Sequence, residues 1–131
     1  TKNKLAEYDL LDFLSEIIVI KPVGYFEMNN LEKNASLIIT DSGGVQKEAY
    51  FHSIPCVTIR TETEWRELLK TGWNILISPD ISFLDMSLLI EKQLSFNLCT
   101  DHPQLYGDGS AAETIVNYIY NYLSSIGNHN V

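Results

Sequence analysis

The chain's patterning predicts an α/β fold, a parallel sheet flanked by helices. Three observations carry this. Short runs rich in β-branched apolar residues recur at Ile17–Ile20, Leu37–Thr40, Cys56–Ile59 and Asn74–Ile77 along the 131 residues. Segments of helical period separate them. Gly and Pro punctuate most of the junctions. Such alternation favours a parallel, doubly wound sheet, because helical crossovers cover the faces of its strands.

In chain order, Leu10, Leu11, Phe13 and Leu14 mark a helix over Leu5–Ser15, and Ile17–Ile20 reads as the first buried strand. Pro22 and Gly24 break that strand, and a short helix follows through Leu31. Leu37–Thr40 is the second strand and leads through Gly43-Gly44 into a helix from about Val45 to His52, ended by Ser53-Ile54-Pro55. Cys56–Ile59 is the third. Thr61 and Glu64 have capping-box spacing, which starts a helix there that stops near Gly72. Asn74–Ile77, closed by Pro79, is the fourth strand. Ser82–Leu94 reads as a helix with Leu84, Leu88 and Leu89 inward. After Pro103 and Gly107-Asp-Gly109, Ser110 and Glu113 form a second capping box for a last helix whose apolar face is Ile115, Ile119 and Leu123. The whole reads as one domain over 1–131, with a frayed tail over 125–131.

Composition narrows the function. Apolar residues make up 45% and charged residues 20%, an ordinary globular balance. The net charge of -8 argues against non-specific nucleic-acid binding, which needs cations to replace phosphate counterions. It says nothing against a small anion held by backbone N–H groups. Cys56 and Cys99 form no C-x-x-C and have no nearby His pair, so neither a zinc site nor a disulfide framework is expected. The apolar runs fall well short of the roughly 18 residues of a membrane span. Thr1 opens a polar stretch with no signal-peptide pattern and no initiator Met. The expected setting is the cytoplasm, and the start fits a piece cut from a longer chain.

The segment that carries chemistry is Leu37–Ala49, in which a buried strand runs directly into Asp41-Ser42-Gly43-Gly44 and then a helix. Ligands of α/β sheets bind at the carboxyl ends of the strands. The first helical turn there has unpaired N–H groups and the positive end of the helix dipole. Two residues without Cβ admit a phosphate, and the Ser42 hydroxyl can donate one more bond. Glu48, about a turn further, could accept from two vicinal hydroxyls such as those of a ribose. The plainer reading is a tight turn with Asp41 or Ser42 as N-cap. Neither G-x-x-x-x-G-K-[ST] nor G-x-G-x-x-G is present.

Asp41-Ser42-Gly43-Gly44 also echoes a serine-protease nucleophile segment. A Ser nucleophile needs a base His, and His52 falls near the far end of the helix that Ser42 opens. His102 is a loop residue and His129 lies in the tail. Cys56 reads as a small core residue, and Trp65 and Trp73 as packing. Glu62, Glu64 and Glu67 read as a solvated helix face. Arg60 follows a strand at the ligand edge, where an ion pair and an anion contact are both open.

Thr40–Ala49 resembles the signature of the non-hydrolysing UDP-N-acetylglucosamine 2-epimerase family. The similarity continues, in the family's order and spacing, through Lys21–Tyr25, Leu31–Ala35, Pro55–Arg60, Thr63–Glu67, Gly72–Leu76 and Tyr106–Ala112. It implies a glycosyltransferase-B-like architecture of two Rossmann-like domains, of which this chain is the carboxy-terminal one. The implied reaction eliminates UDP to a glycal and adds it back with C2 inverted, with no NAD or metal. By position, Ser42 and Gly43 would hold the diphosphate, Gly44 would shape the turn, Glu48 would bind the ribose and the backbone near Met28 would meet uracil. The family's acid–base residues fall on segments before Thr1. The implied partners are a UDP-sugar, the missing amino-terminal domain and a second copy in a homodimer, and the fragment alone is expected to be inactive.

One departure bears on the substrate. Where the commonest family pattern reads T-E-R-P-E, with an Arg approaching the phosphates, this chain has Thr63-Glu-Trp-Arg-Glu67. Trp65 takes the Arg position and Arg66 lies one residue on, about 100° around a helix. This form is more similar to a sister branch acting on UDP-2,3-diacetamido-2,3-dideoxyglucuronic acid. Two other readings stay open: the nucleotide-sugar domain of a glycosyltransferase of the same architecture, and a stand-alone phospho-ligand module.

Overall fold

The computed structural model describes residues 2–96 and 101–127, without the side chain of Lys2. The sequence features at Cys99 and His129, and the tail over 128–131, lie outside the described residues. The elements are α1 (Lys2–Glu7), a 3₁₀ helix (Leu11–Glu16), α2 (Tyr25–Lys33), β1 (Ile38–Thr40), α3 (Gly43–Phe51), β2 (Cys56–Ile59), α4 (Arg66–Thr71), β3 (Asn74–Ile77), α5 (Phe83–Leu94) and α6 (Ala111–Gly127). The fold is α/β, a Rossmann-like parallel sheet flanked by helices. The strands lie in the order β1-β2-β3, all parallel, with Ile38 beside Cys56 and Cys56 beside Asn74.

Parallel strands need cover on both faces, and the core forms where they have it. Ile38, Ala49 and Cys56 make one buried cluster beneath α3, flanked by Ala35, Val45 and Ile54. Tyr50, Leu68 and Trp73 make the second, joined by Trp65, Phe96, Leu105 and Tyr106. β2 runs centrally, with Cys56, Val57 and Thr58 all buried. Burial also pushes the Cys56 thiol up to about 11, so the residue packs as an inert core group.

Several sequence expectations change. Ile17–Ile20 pairs with no strand among the described residues, and Ile18 is 94% exposed. An all-apolar run becomes an inner strand only with a ladder partner and cover on both faces, and no described element supplies these. The run lines an open apolar groove of about 1280 Å³ with Leu5, Leu14 and Met28. The first helix divides into α1 and the 3₁₀ helix.

No helix begins at Thr61. Glu64 pairs with Arg60 instead of capping, Thr63 turns inward, and α4 starts only at Arg66. At α6 the Ser110 hydroxyl donates to Asp108 rather than facing Glu113, and the helix continues to Gly127, taking in Ser125. Leu84, Leu88 and Leu89 of α5 are exposed, and the inward residue of that helix is Gln93. Ile115, Ile119 and Leu123 do share one face of α6, but that face is exposed.

The other boundaries follow local chemistry. Glu27 accepts a 2.6 Å bond from the Gly24 N–H at the start of α2. The Ser82 hydroxyl accepts from Asp85 N–H and so caps α5. Gly72 ends α4 with φ of +79°, a left-handed conformation that a Cβ disfavours. A Cβ there would also meet the Phe96 ring at 3.4 Å. Gly72→Ala is therefore expected to destabilise the full-length protein by about 1–2 kcal/mol. Urea denaturation checks this, and an unchanged midpoint would contradict it.

Candidate functional site

The site is built where β1 ends. Ser42 is in an extended conformation, its N–H donating to Thr40 Oγ1 at 3.0 Å, and α3 begins at the next residue. Gly43 and Gly44 thus form the first turn of α3, where backbone N–H groups lack helical partners. The Ser42 side chain makes no capping bond and is exposed. A Cβ on Gly44 would meet only Ser42 Oγ, at 3.9 Å, so the approach to this turn is open. A Cβ on Gly43 would run into the Glu64 carboxylate beside the Trp65 indole. Only the absence of a side chain lets that loop come so close.

What holds the turn is a polar node inside the domain. Gln46 is fully buried, and its Nε2 donates to the Ser42 carbonyl at 3.2 Å. Its Oε1 accepts from Thr63 Oγ1 at 2.7 Å and from Asn74 Nδ2 at 3.2 Å. Asn74 Oδ1 in turn accepts from Thr58 Oγ1 at 2.9 Å. One side chain thereby ties the start of α3 to β2, β3 and the loop after β2. Sequence reasoning passed over Gln46, Thr58, Thr63 and Asn74. The available signal was Gln46 falling three and four residues before the core-facing Ala49 and Tyr50, on the same helix face.

Trp65 closes the turn from outside. Its Nε1 donates to the Gly43 carbonyl at 2.8 Å. The Lys47 ammonium lies 4.0 Å from the Trp65 ring and 4.2 Å from the Tyr106 ring, a two-sided cation–π seat. The Tyr106 hydroxyl donates to Glu67 Oε1 at 2.8 Å. Burial first, then this carboxylate, pushes the Tyr106 phenol above its usual range. Glu67 is lowered, first by a backbone hydrogen bond and then by the Tyr106 hydroxyl. Trp65 is thus part of the site's wall as well as packing, and Glu67 is engaged rather than simply solvated.

The loop over 101–107 is fixed by aromatic contacts. The His102 ring stacks on Tyr50 at 4.1 Å, and its Nε2 donates to the Tyr50 carbonyl at 2.8 Å. Tyr50 donates its hydroxyl to the Pro103 carbonyl at 2.6 Å. His52 caps the far end of α3, where its Nε2 meets Asn29 Nδ2 at 3.1 Å. Neither imidazole is placed to take a proton from Ser42, since α3 spans about 13 Å.

Glu48 is half-buried on α3 and lies within hydrogen-bonding reach of Glu32 on α2. The pairs Asn29–His52 and Glu32–Glu48 run in opposite directions, so α2 lies antiparallel to α3. Met28, beside Asn29, is then level with the carboxyl end of α3. Ser42, Glu48 and Met28 accordingly follow one another along the length of α3. Arg60 donates to Glu64 Oε2 at 3.1 Å, the ion-pair alternative, and Arg66 is exposed on the first turn of α4. No described helix is long and apolar enough to cross a membrane.

These features define a Rossmann-like α/β domain with an open, glycine-lined helix N-terminus at the carboxyl end of a parallel strand. The chain belongs to the UDP-N-acetylglucosamine 2-epimerase family, whose model matches residues 1–120. It is 40% identical over 125 residues to a UDP-N-acetylglucosamine 2-epimerase homolog of Methanococcus maripaludis, covering 92% of this chain and 34% of the relative. It is 44% identical over 104 residues to the UDP-2,3-diacetamido-2,3-dideoxy-D-glucuronate 2-epimerase of Pseudomonas aeruginosa, covering 79% and 28%. The structure of the UDP-GlcNAc 2-epimerase of Methanocaldococcus jannaschii in complex with UDP-GlcNAc and UDP superposes with a TM-score of 0.75 at 40% identity, over 92% of this chain and 33% of that one. The chain therefore spans about a third of the length of the relatives it matches.

Two outcomes follow for stability. Gln46→Met keeps the volume but leaves Thr63 and Asn74 donors unmatched, so about 2–4 kcal/mol should be lost in urea unfolding. A loss below about 1 kcal/mol would show that the node is dispensable. Glu32 is held above the ordinary 4.5 by burial first, then by the charge of and hydrogen bonding with Glu48. A raised folded value means stability that is complete below 4.5 and lost as pH rises from there through the higher folded value. Glu32→Gln should gain thermal stability relative to the parent as pH rises above 4.5. A difference that stays flat with pH would count against the assignment.

Proposed function

We propose that this chain is the UDP-binding, carboxy-terminal part of a UDP-N-acetylglucosamine 2-epimerase, and that the longer protein carries out the reaction. The observation that carries this reading is the start of α3. There an uncommitted Ser42 hydroxyl and the Gly43-Gly44 backbone form an anion seat, and the buried Gln46 braces it from behind. Ser42 and Gly43 take the diphosphate, and Gly44 leaves room for it. Glu48 takes the ribose hydroxyls, and the backbone near Met28 takes uracil. This order agrees with a uridine diphosphate laid along α3.

In the reaction so inferred, a base outside this chain removes the C2 proton while the C1–O bond breaks and UDP leaves. The resulting glycal is reprotonated at C2 from the opposite face, and UDP adds back at C1. The role of residues 1–131 is to bind and retain UDP through the intermediate, so that the leaving group stays in place to return. No metal or nicotinamide enters this scheme. Arg66 is a candidate second contact to the diphosphate, and Arg60 joins it when its bond to Glu64 opens. The sugar is UDP-N-acetylglucosamine or its 2,3-diacetamido uronic acid analogue, and Trp65 in place of an Arg favours the analogue.

Residues 1–131 form one domain of a two-domain, glycosyltransferase-B-like protein in this reading, with a cytoplasmic, homodimeric full-length form. The exposed apolar run Ile17–Ile20 and the apolar face of α6 support a larger body against which they pack. The fragment alone should bind UDP with a Kd on the order of 0.1–1 mM and should not epimerise. In the full-length protein, Ser42→Ala and Glu48→Ala should each weaken UDP about tenfold in calorimetric titration. Wild-type affinity in both variants would remove this site from consideration.

A further inference from the structure

Glu32 is the least expected side chain in the molecule. It sits on α2 at 3% exposure, and its Oε1 has no hydrogen-bond partner among the described residues. The ion pairs among those residues are Lys4–Glu7 and Arg60–Glu64, so no described cation neutralises it. Its near neighbour is another acid, Glu48, within hydrogen-bonding reach. Two bare carboxylates in such a place would repel, and burying an unpaired charge is costly. A single proton between them removes both penalties. Burial and the charge of Glu48 act in that direction on Glu32, the more deeply buried of the two.

We propose that Glu32 is a positioning residue for a vicinal diol: its neutral carboxyl donates to the Glu48 carboxylate and fixes the orientation in which Glu48 accepts from the two ribose hydroxyls of the nucleotide. This rests on the reading of Glu48 given above. An ionised carboxylate has about four acceptor sites on its two oxygens. One taken by Glu32 leaves room for both hydroxyls, one on each oxygen. Hydrogen bonds from O–H to a carboxylate are among the stronger kind and depend on orientation. On a long side chain, that orientation is lost without a second anchor.

The α2–α3 packing supports the arrangement. Asn29 meets His52 one turn further along α3, so the two helices are pinned on the same side as the acid pair. That contact keeps the two helix backbones together beside the acid pair. A merely structural acid would serve α2–α3 packing equally well with or without a diol in the site. The diol is the discriminating element.

The test is calorimetric titration of the full-length protein with UDP and with 2′,3′-dideoxyuridine 5′-diphosphate, which lacks both hydroxyls. Glu32→Met should weaken UDP about tenfold, approaching Glu48→Ala, and leave the dideoxy analogue nearly unchanged. Glu32→Gln, which keeps a donor, should stay within about twofold of wild type for both ligands. If Glu32→Met does not fold, Glu32→Asp takes its place, since the shorter acid falls short of Glu48 and should show the same selective loss.

Equal weakening of both ligands would make Glu32 structural and overturn the proposal. So would wild-type UDP affinity in Glu32→Met beside a weakened Glu48→Ala. Unchanged UDP affinity in Glu48→Ala would instead overturn the underlying assignment of the ribose site, and this proposal with it.

Discussion

Everything the candidate site presents to solvent depends on one buried amide. Gln46 spends its Nε2 on the Ser42 carbonyl and its Oε1 on Thr63 and Asn74. A parallel sheet this small offers little cover, and its crossovers are held at few points. A saturated polar node in a low-dielectric interior rigidifies what it joins, provided every member is satisfied. Here it joins the first turn of α3, the start of β3 and the loop that carries Trp65. The Gly43-Gly44 turn is consequently held in shape by the domain's own hydrogen bonds.

Around that node the site divides its work between charge and shape. Backbone N–H groups and the helix dipole supply the positive field at Gly43-Gly44. The overall charge is -8, so in the proposed function attraction of an anion is local and owes nothing to the surface as a whole. Lys47 sits between two aromatic rings rather than out in solvent, which keeps a cation near the turn. Arg60 is drawn into a pair with Glu64. The acid pair Glu32–Glu48 lies further along α3, away from the dipole's positive end. In the function proposed above, anion recognition and hydroxyl recognition are therefore separated along one helix.

The sequence made the α/β class, three of four strands and the α3 N-terminus legible, because each rests on local pattern. Leu37–Thr40 and Cys56–Ile59 are β-branched and bounded by breakers, and they fold where that pattern puts them. Ile17–Ile20 has the same pattern and does not pair, because a ladder partner is a tertiary fact and local residues cannot supply it. The Thr61–Glu64 spacing misled for a related reason: Thr63 is drawn inward by Gln46, and Glu64 by Arg60, before a helix can use them. Arg60 was readable only as two alternatives, since the choice depends on where Glu64 falls. Gln46 and Glu32 were hidden because a polar residue at an inward position looks like a surface residue until the packing is known.

The Trp65 indole, bonded through its ring nitrogen to the Gly43 carbonyl and overlaid by a lysine, is a chromophore wired to the Gly43-Gly44 turn. Its emission depends on that hydrogen bond and on the nearby positive charge. In the function proposed above, an anion arriving at Gly43-Gly44 would perturb both. The domain would thereby carry a built-in optical gauge of occupancy, read against Trp73, whose ring lies in the aromatic core with Tyr50 and Phe96.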